Sequence, residues 1–107
     1  MFKSVELSKI LNLKEEVVYQ THQVTSRTIV KNKEVTMTLF AFDKGEGLSS
    51  HASSGDALVQ VIDGQVKITI DNQDYMLKEG DSIIMPANIN HSLEAVEKFK
   101  MLLTIVF

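Results

Sequence analysis

Three observations predict an all-β fold, a sandwich or a barrel. Apolar and polar residues alternate with a period of two in short runs from Thr25 onward, Asn, Asp and Gly separate those runs, and helical periodicity is almost absent. With 107 residues and a mass of 12.0 kDa the chain is long enough for one core and too short for two. Closing the sheet, or pairing two sheets face to face, removes the exposed edges that so many short strands would otherwise present.

The elements follow in order. Leu7, Ile10 and Leu11 space like the apolar stripe of one or two helical turns, so residues 1–24 read as a short helix or an extended arm, followed by a barrel over residues 25–107. Two strands, TSRTIVK and VTMTLFAFD, flank a polar break at Asn32-Lys33. In the second, Val35, Met37, Leu39 and Ala41 share one face and Thr36, Thr38, Phe40 and Phe42 the other, which places the strand between an interior and a covering element. Lys44 to Asp56, rich in Gly and Ser around His51, reads as a loop. ALVQVID then runs into Asp63-Gly64, a composition that predicts a hairpin returning through QVKITID. A polar turn at Asn72-Gln73 leads to a strand closed by Gly80. SIIMP ends at Pro86, whose fixed φ and missing N–H suit a strand terminus, and INHSLEAV and Lys98 to Phe107 complete the set.

Composition narrows the partners. A net charge of -3 with no Lys/Arg stripe leaves no electrostatic footprint for nucleic acid or an anionic membrane. Cysteine is absent, which removes disulfides and thiolate chemistry, and any metal must be held by His, carboxylate or water. No leader-like segment and no bilayer-length apolar run is evident, so a cytoplasmic protein is expected. The final strand, FKMLLTIVF, carries one charge, and a homodimer that buries part of it by strand or sheet pairing is expected.

Two motifs resemble those of the cupins, specifically the small single-domain conserved-barrel (cupin 2) type, over roughly residues 25–107. The first cupin motif has a glycine, five residues, a His-x-His pair, a glutamate and a closing glycine; Gly45, His51 and Gly64 fit that frame. The second has a glycine, five residues, a proline, a glycine two on and a histidine three further. Gly80, Pro86 and His91 match it, with Asn88 at the second glycine, where a residue tolerant of left-handed backbone angles is needed. The resemblance implies a double-stranded β-helix, that is, a jelly-roll β-barrel.

It also implies a site, in reduced form. Metal-dependent cupins use three histidines and a glutamate; here His51 and His91 occupy two of those positions, Ser53 stands at another histidine and Ala57 at the glutamate. In the pleat, residues 51, 53, 57, 59 and 61 would face inward together, and His91 shares the phase of Leu93 and Ala95. Asp56 is opposite in phase and reads as a surface or turn-capping residue. Met37, Met85 and Met101 share the phase of apolar neighbours and serve either as core filler or as a soft wall of a ligand pocket.

Three functions remain in competition. One is a barrel that binds a small molecule at His51, Ser53 and His91. Another is a divalent-metal enzyme of dioxygenase or isomerase type, in which His51 and His91 hold Fe, Mn, Ni or Zn with a substitute donor. The third is a non-catalytic dimeric or sensory barrel whose interior is filled by Met and Phe. Pocket binding ranks first, because two histidines at an interior mouth would cost stability if they stayed unpaired.

Overall fold

Nine strands carry the chain from Val24 to Val106 in a computed structural model that describes all residues, Met1–Phe107. They are β1 (Val24–Lys31), β2 (Val35–Phe42), β3 (Gly47–His51), β4 (Asp56–Asp63), β5 (Gln65–Ile70), β6 (Gln73–Lys78), β7 (Ser82–Met85), β8 (His91–Ala95) and β9 (Phe99–Val106). A five-stranded sheet has the order β1-β2-β9-β4-β7 and a four-stranded sheet the order β3-β8-β5-β6, and every paired neighbour is antiparallel. No helix is long and apolar enough to cross a membrane.

The two-residue period builds the core between the sheets. Phe42, Val59, Phe99 and Met101 from one sheet meet Val66, Ile68 and Leu93 from the other in one buried cluster. Phe42 and Phe99, opposite each other in the β2–β9 register, stack with ring centroids 4.6 Å apart. The outer face of the larger sheet carries a second cluster in which Val17 of the arm covers Ile29, Leu39, Ala41 and Leu102. β2 is therefore apolar on both faces because it lies between the core and the arm, the situation its composition called for.

Two expectations, the loop around His51 and the hairpin at Asp63-Gly64, are corrected, and two that offered alternatives are narrowed. The arm is not helical at Leu7–Leu11: its only helix is a single 3-10 turn at Leu13–Glu15, capped by Asn12, and Leu7 and Ile10 point to solvent. The Gly- and Ser-rich segment contains a strand, β3, because pairing with β8 overrides its weak propensity. No hairpin forms at Asp63-Gly64. β4 and β5 lie in different sheets, and Gly64 (φ 75) turns a corner between them; the tight hairpin is instead β5–β6, with Asp71 and Asn72 both at positive φ. Finally, β9 has no free edge for strand pairing with a second chain, since β2 and β4 bond to it on both sides.

The arm is fastened near its end. Tyr19 Oη donates a 2.6 Å hydrogen bond to Asp63, and the ammonium groups of Lys98 and Lys100 lie over the Tyr19 ring at 5.1 and 4.8 Å. Lys100, buried on the outer face, donates to the Lys14 carbonyl. Burial first, and the Asp63 carboxylate second, push the Tyr19 hydroxyl well above its usual pKa.

Candidate functional site

His51 and His91 are brought together by the β3–β8 ladder, where they are direct Cα partners. A bulge makes this possible. Leu48 pairs with Leu93 and His51 with His91, so three steps on β3 match two on β8, and the extra residue returns His51 to the inner face on which Leu48 already lies. The imidazoles meet edge to face, with centroids 4.5 Å apart. His91 also pairs with Ile70 on its other side.

The two rings differ in environment. His51 is exposed, and its Nδ1 lies 2.7 Å from the Ser49 carbonyl oxygen. A carbonyl only accepts, so Nδ1 carries the proton and donates; in the neutral ring Nε2 is then a free acceptor. His91 is 3% exposed, and its Nδ1 is buried without a hydrogen-bond partner. Leaving such a group unpaired costs about 1–3 kcal/mol. Burial, followed by the charge of His51, holds the His91 pKa below its ordinary value of 6.5, against the smaller opposing effect of a backbone contact with Ile89, whose geometry falls short of a hydrogen bond to the buried Nδ1.

Around this pair the loops are tied to each other. The Ser53 carbonyl accepts from Asn88 N–H at 2.7 Å, and Ser53 Oγ accepts from Gly55 N–H at 3.2 Å. The hydroxyl thus closes its own turn, and Ser53 is half-buried just before a bend at Ser54-Gly55 that interrupts the pleat expected to run from His51 to Ala57. Asn88 has φ 64, the left-handed angle its position in the motif requires. Asp56 is exposed and accepts from Ala87 N–H at 2.8 Å, which caps the turn after Pro86. Ala57, Val59 and Val61 face the core.

The methionines separate. Met85 pairs with Ala57 at the histidine end of the core, whereas Met101 pairs with Val61 four residues further along β4, roughly 13 Å away. Met37 does not line the interior. It lies on the outer face of β2 against the second cluster, on the face it shares with Leu39 and Ala41, so its apolar phase reflected cover by the arm. None of the surface cavities is lined by His51 or His91, since Phe42, Phe99, Met85 and Met101 fill the space between the sheets. No group of three His, Asp or Glu side chains is placed to hold a metal ion. Two features were illegible in the sequence: the Ser49 carbonyl that fixes the His51 tautomer, and the bulge that aims the ring. A bulge leaves no compositional mark.

A family model described as a cupin domain matches residues 38–107. Among solved structures, a conserved protein of unknown function from Streptococcus pyogenes is 43% identical, with a TM-score of 0.96 over 98% of this chain and 92% of its own. A cupin superfamily protein from Desulfitobacterium hafniense is 28% identical, with a TM-score of 0.95 over 100% of this chain and 98% of its own. A cupin 2 conserved barrel domain protein from Leptotrichia buccalis is 43% identical over 91% of this chain and 47% of its own, with a TM-score of 0.89. No curated protein matches the chain.

Proposed function

The chain belongs to the cupin family, and from that premise we propose that it binds a small, uncharged polar molecule at the interior mouth, where His51, Ser53 and His91 present hydrogen-bonding groups. The observation that carries this reading is the buried, unpartnered Nδ1 of His91 beside an exposed His51 whose Nε2 is free to accept. An unsatisfied buried nitrogen costs stability in the free protein, and a ligand that pairs with it recovers that cost. Besides the two histidines, the only ionisable side chain in the flanking segments 49–56 and 87–90 is Asp56, whose carboxylate is engaged by Ala87 N–H, which favours an uncharged ligand over an ionic one. Met85 supports a soft wall at this end, whereas Met101 serves as core filler.

In this reading the two sheets are the halves of a closed double-stranded β-helix, or jelly roll. From β4 to β9 the chain crosses between the sheets at every connection except the β5–β6 hairpin, which supports it. The filled interior limits the ligand to the mouth. The donor set does not fit a resident divalent metal of the kind the family's motif implies: Ser53 offers only a neutral hydroxyl that already accepts from Gly55, Ala57 has no donor, and two imidazoles leave coordination incomplete. Two copies pairing through the outer sheet face, where Ile84 and Val106 are 61% and 57% exposed, belong to the same proposal, and sedimentation tests it.

The test is a thermal-shift screen of uncharged polyols and amides, repeated on His51→Ala and His91→Ala. A compound that stabilises the native chain and loses its effect in both variants is the expected result. Hits indifferent to both substitutions, or no hits at all, would defeat the reading.

A further inference from the structure

We infer that the space under the amino-terminal arm is a second ligand site, for an uncharged molecule with an aliphatic body about ten non-hydrogen atoms long. Its basis is an open cleft of about 310 Å³ lined by Val5, Leu7 and Leu11 of the arm and by Ile29, Met37 and Leu102 of the sheet. That volume falls at the lower end of the roughly 300–1,000 Å³ typical of ligand pockets, and at about 30 Å³ per water-sized unit it holds on the order of ten such units.

The arm arches where it could have collapsed. It is pegged on one side by Lys3 N–H donating to the Ile29 carbonyl at 2.8 Å and by Arg27 donating to the Ser4 carbonyl at 3.1 Å, and on the other by the Lys100 bond to the Lys14 carbonyl. From Ser4 to Leu11 no backbone hydrogen bond ties it to the sheet. Ser4 (φ 63) and Ser8 (φ 57) hold left-handed angles that serine adopts at a cost, and they carry the chain over the cavity. Leu7 and Ile10, which could fill the space, are 70% and 103% exposed. The apolar floor is thus covered only in part: Val5, Leu13 and Val17 pack over buried Ile29 and Leu102, while beside half-buried Met37 the side chains of Leu7 and Ile10 turn away and leave the cleft open to an added molecule.

Charge at the rim selects the occupant. An adjoining cleft shares Val5, Glu6, Lys9 and Leu11 with the cavity and adds Glu16 and Arg27, which pair at 3.2 Å. Two acidic and two basic groups cancel, so neither a carboxylate nor an ammonium head is drawn in, whereas a hydroxyl or amide end finds hydrogen-bonding partners.

The experiment is a ¹H–¹⁵N titration of the full chain with 1-hexanol, 1-octanol and 1-decanol. Saturable shifts are expected at the amides of Ile29, Met37 and Leu102, with Kd falling about fourfold per added methylene. Met37→Trp fills the floor and Leu7→Trp fills the cavity from the exposed arm, so that one variant reads out if the other misfolds. Each is expected to weaken 1-decanol at least tenfold, and His51→Ala to leave it unchanged. Non-saturable shifts, no dependence on chain length, shifts centred on His51 and His91, or self-association that moves the same three amides without alcohol would each overturn the inference. The last outcome would give the site to a second copy of the chain. Failure here leaves the histidine site untouched, because the histidines stand on the smaller sheet and the cleft lies on the outer face of the larger one.

Discussion

His51 and His91 face each other across one rung of the β3–β8 ladder, with centroids 4.5 Å apart, yet only His51 reaches solvent and only His91 has a buried nitrogen without a partner. This asymmetry within a matched pair separates what the site costs from what it can bind. His91→Leu removes the orphan nitrogen and places an apolar side chain in the buried setting beside Leu93 and Ile70. It is expected to leave stability unchanged or raise it by about 1 kcal/mol, while abolishing ligand stabilisation. Urea denaturation checks the first part and thermal shift the second; a clear loss of stability would mean that His91 is satisfied in solution.

The lowered pKa of His91 gives a pH dependence. The unfolded chain takes up a proton at an ordinary value near 6.5, and the folded chain only at a lower pH, so between the two values the unfolded state binds more protons. The stability associated with neutral His91 is therefore fully present above the unfolded value. It falls as pH drops below that value and stops changing once pH is under the folded value. Urea midpoints at pH 7.5 and 5.0 should show this fall, which His91→Leu should remove. His51→Ala should move the NMR titration of His91 upward but not fully to its ordinary value, because burial, the larger cause, remains.

Restoring the missing donors tests whether they alone stand between this chain and a metal site. Ser53→His with Ala57→Glu is expected to bind Ni or Zn stoichiometrically, whereas the native chain should retain neither after dialysis. Ala57 is 1% exposed opposite Met85, so a carboxylate there should lower the stability of the metal-free variant by several kcal/mol, and metal should recover part of the loss. Elemental analysis together with thermal melts with and without metal decides the matter.

Two glycines at positive φ separate backbone strain from collision. A Cβ on Gly64 would lie 1.9 Å from the Lys98 carbonyl oxygen, while one on Gly80 (φ 94) would meet nothing within 4 Å. Gly80→Ala should cost about 1–2 kcal/mol, the price of a left-handed alanine. Gly64→Ala should cost clearly more, since the corner between the sheets must open. Equal costs in urea denaturation would contradict this account of the corner.

Tyr19→Phe removes the hydrogen bond to Asp63 and should destabilise by about 1–2 kcal/mol, toward the lower part of the range for bonds to charged groups because the pair is only partly buried. The loss should appear as faster exchange of the hydrogen-bonded arm amides of Lys3, Lys14, Glu15 and Glu16, and little elsewhere.

The strands of this protein were legible because burying one face of a sheet forces a two-residue period. Val35–Phe42 and Phe99–Val106 show that period directly. The turn chemistry around Pro86 and Asn88 was legible too, since the allowed backbone angles depend on the residue itself. The sequence by itself thus determined the all-β class, the alternating faces of long strands such as β2 and β9, and the two histidines of the reduced motif. Only the tertiary structure decided which face of β2 was the interior: apolar residues on both sides are equally well explained by a core or by an arm, and Met37 went to the arm. Tertiary structure also decided that Asp63-Gly64 turns a corner, because the same two residues satisfy a hairpin and a crossover, and the partner strands choose between them. His51 reached His91 through a bulge, a feature set by the register of two strands forty residues apart, which no local pattern encodes.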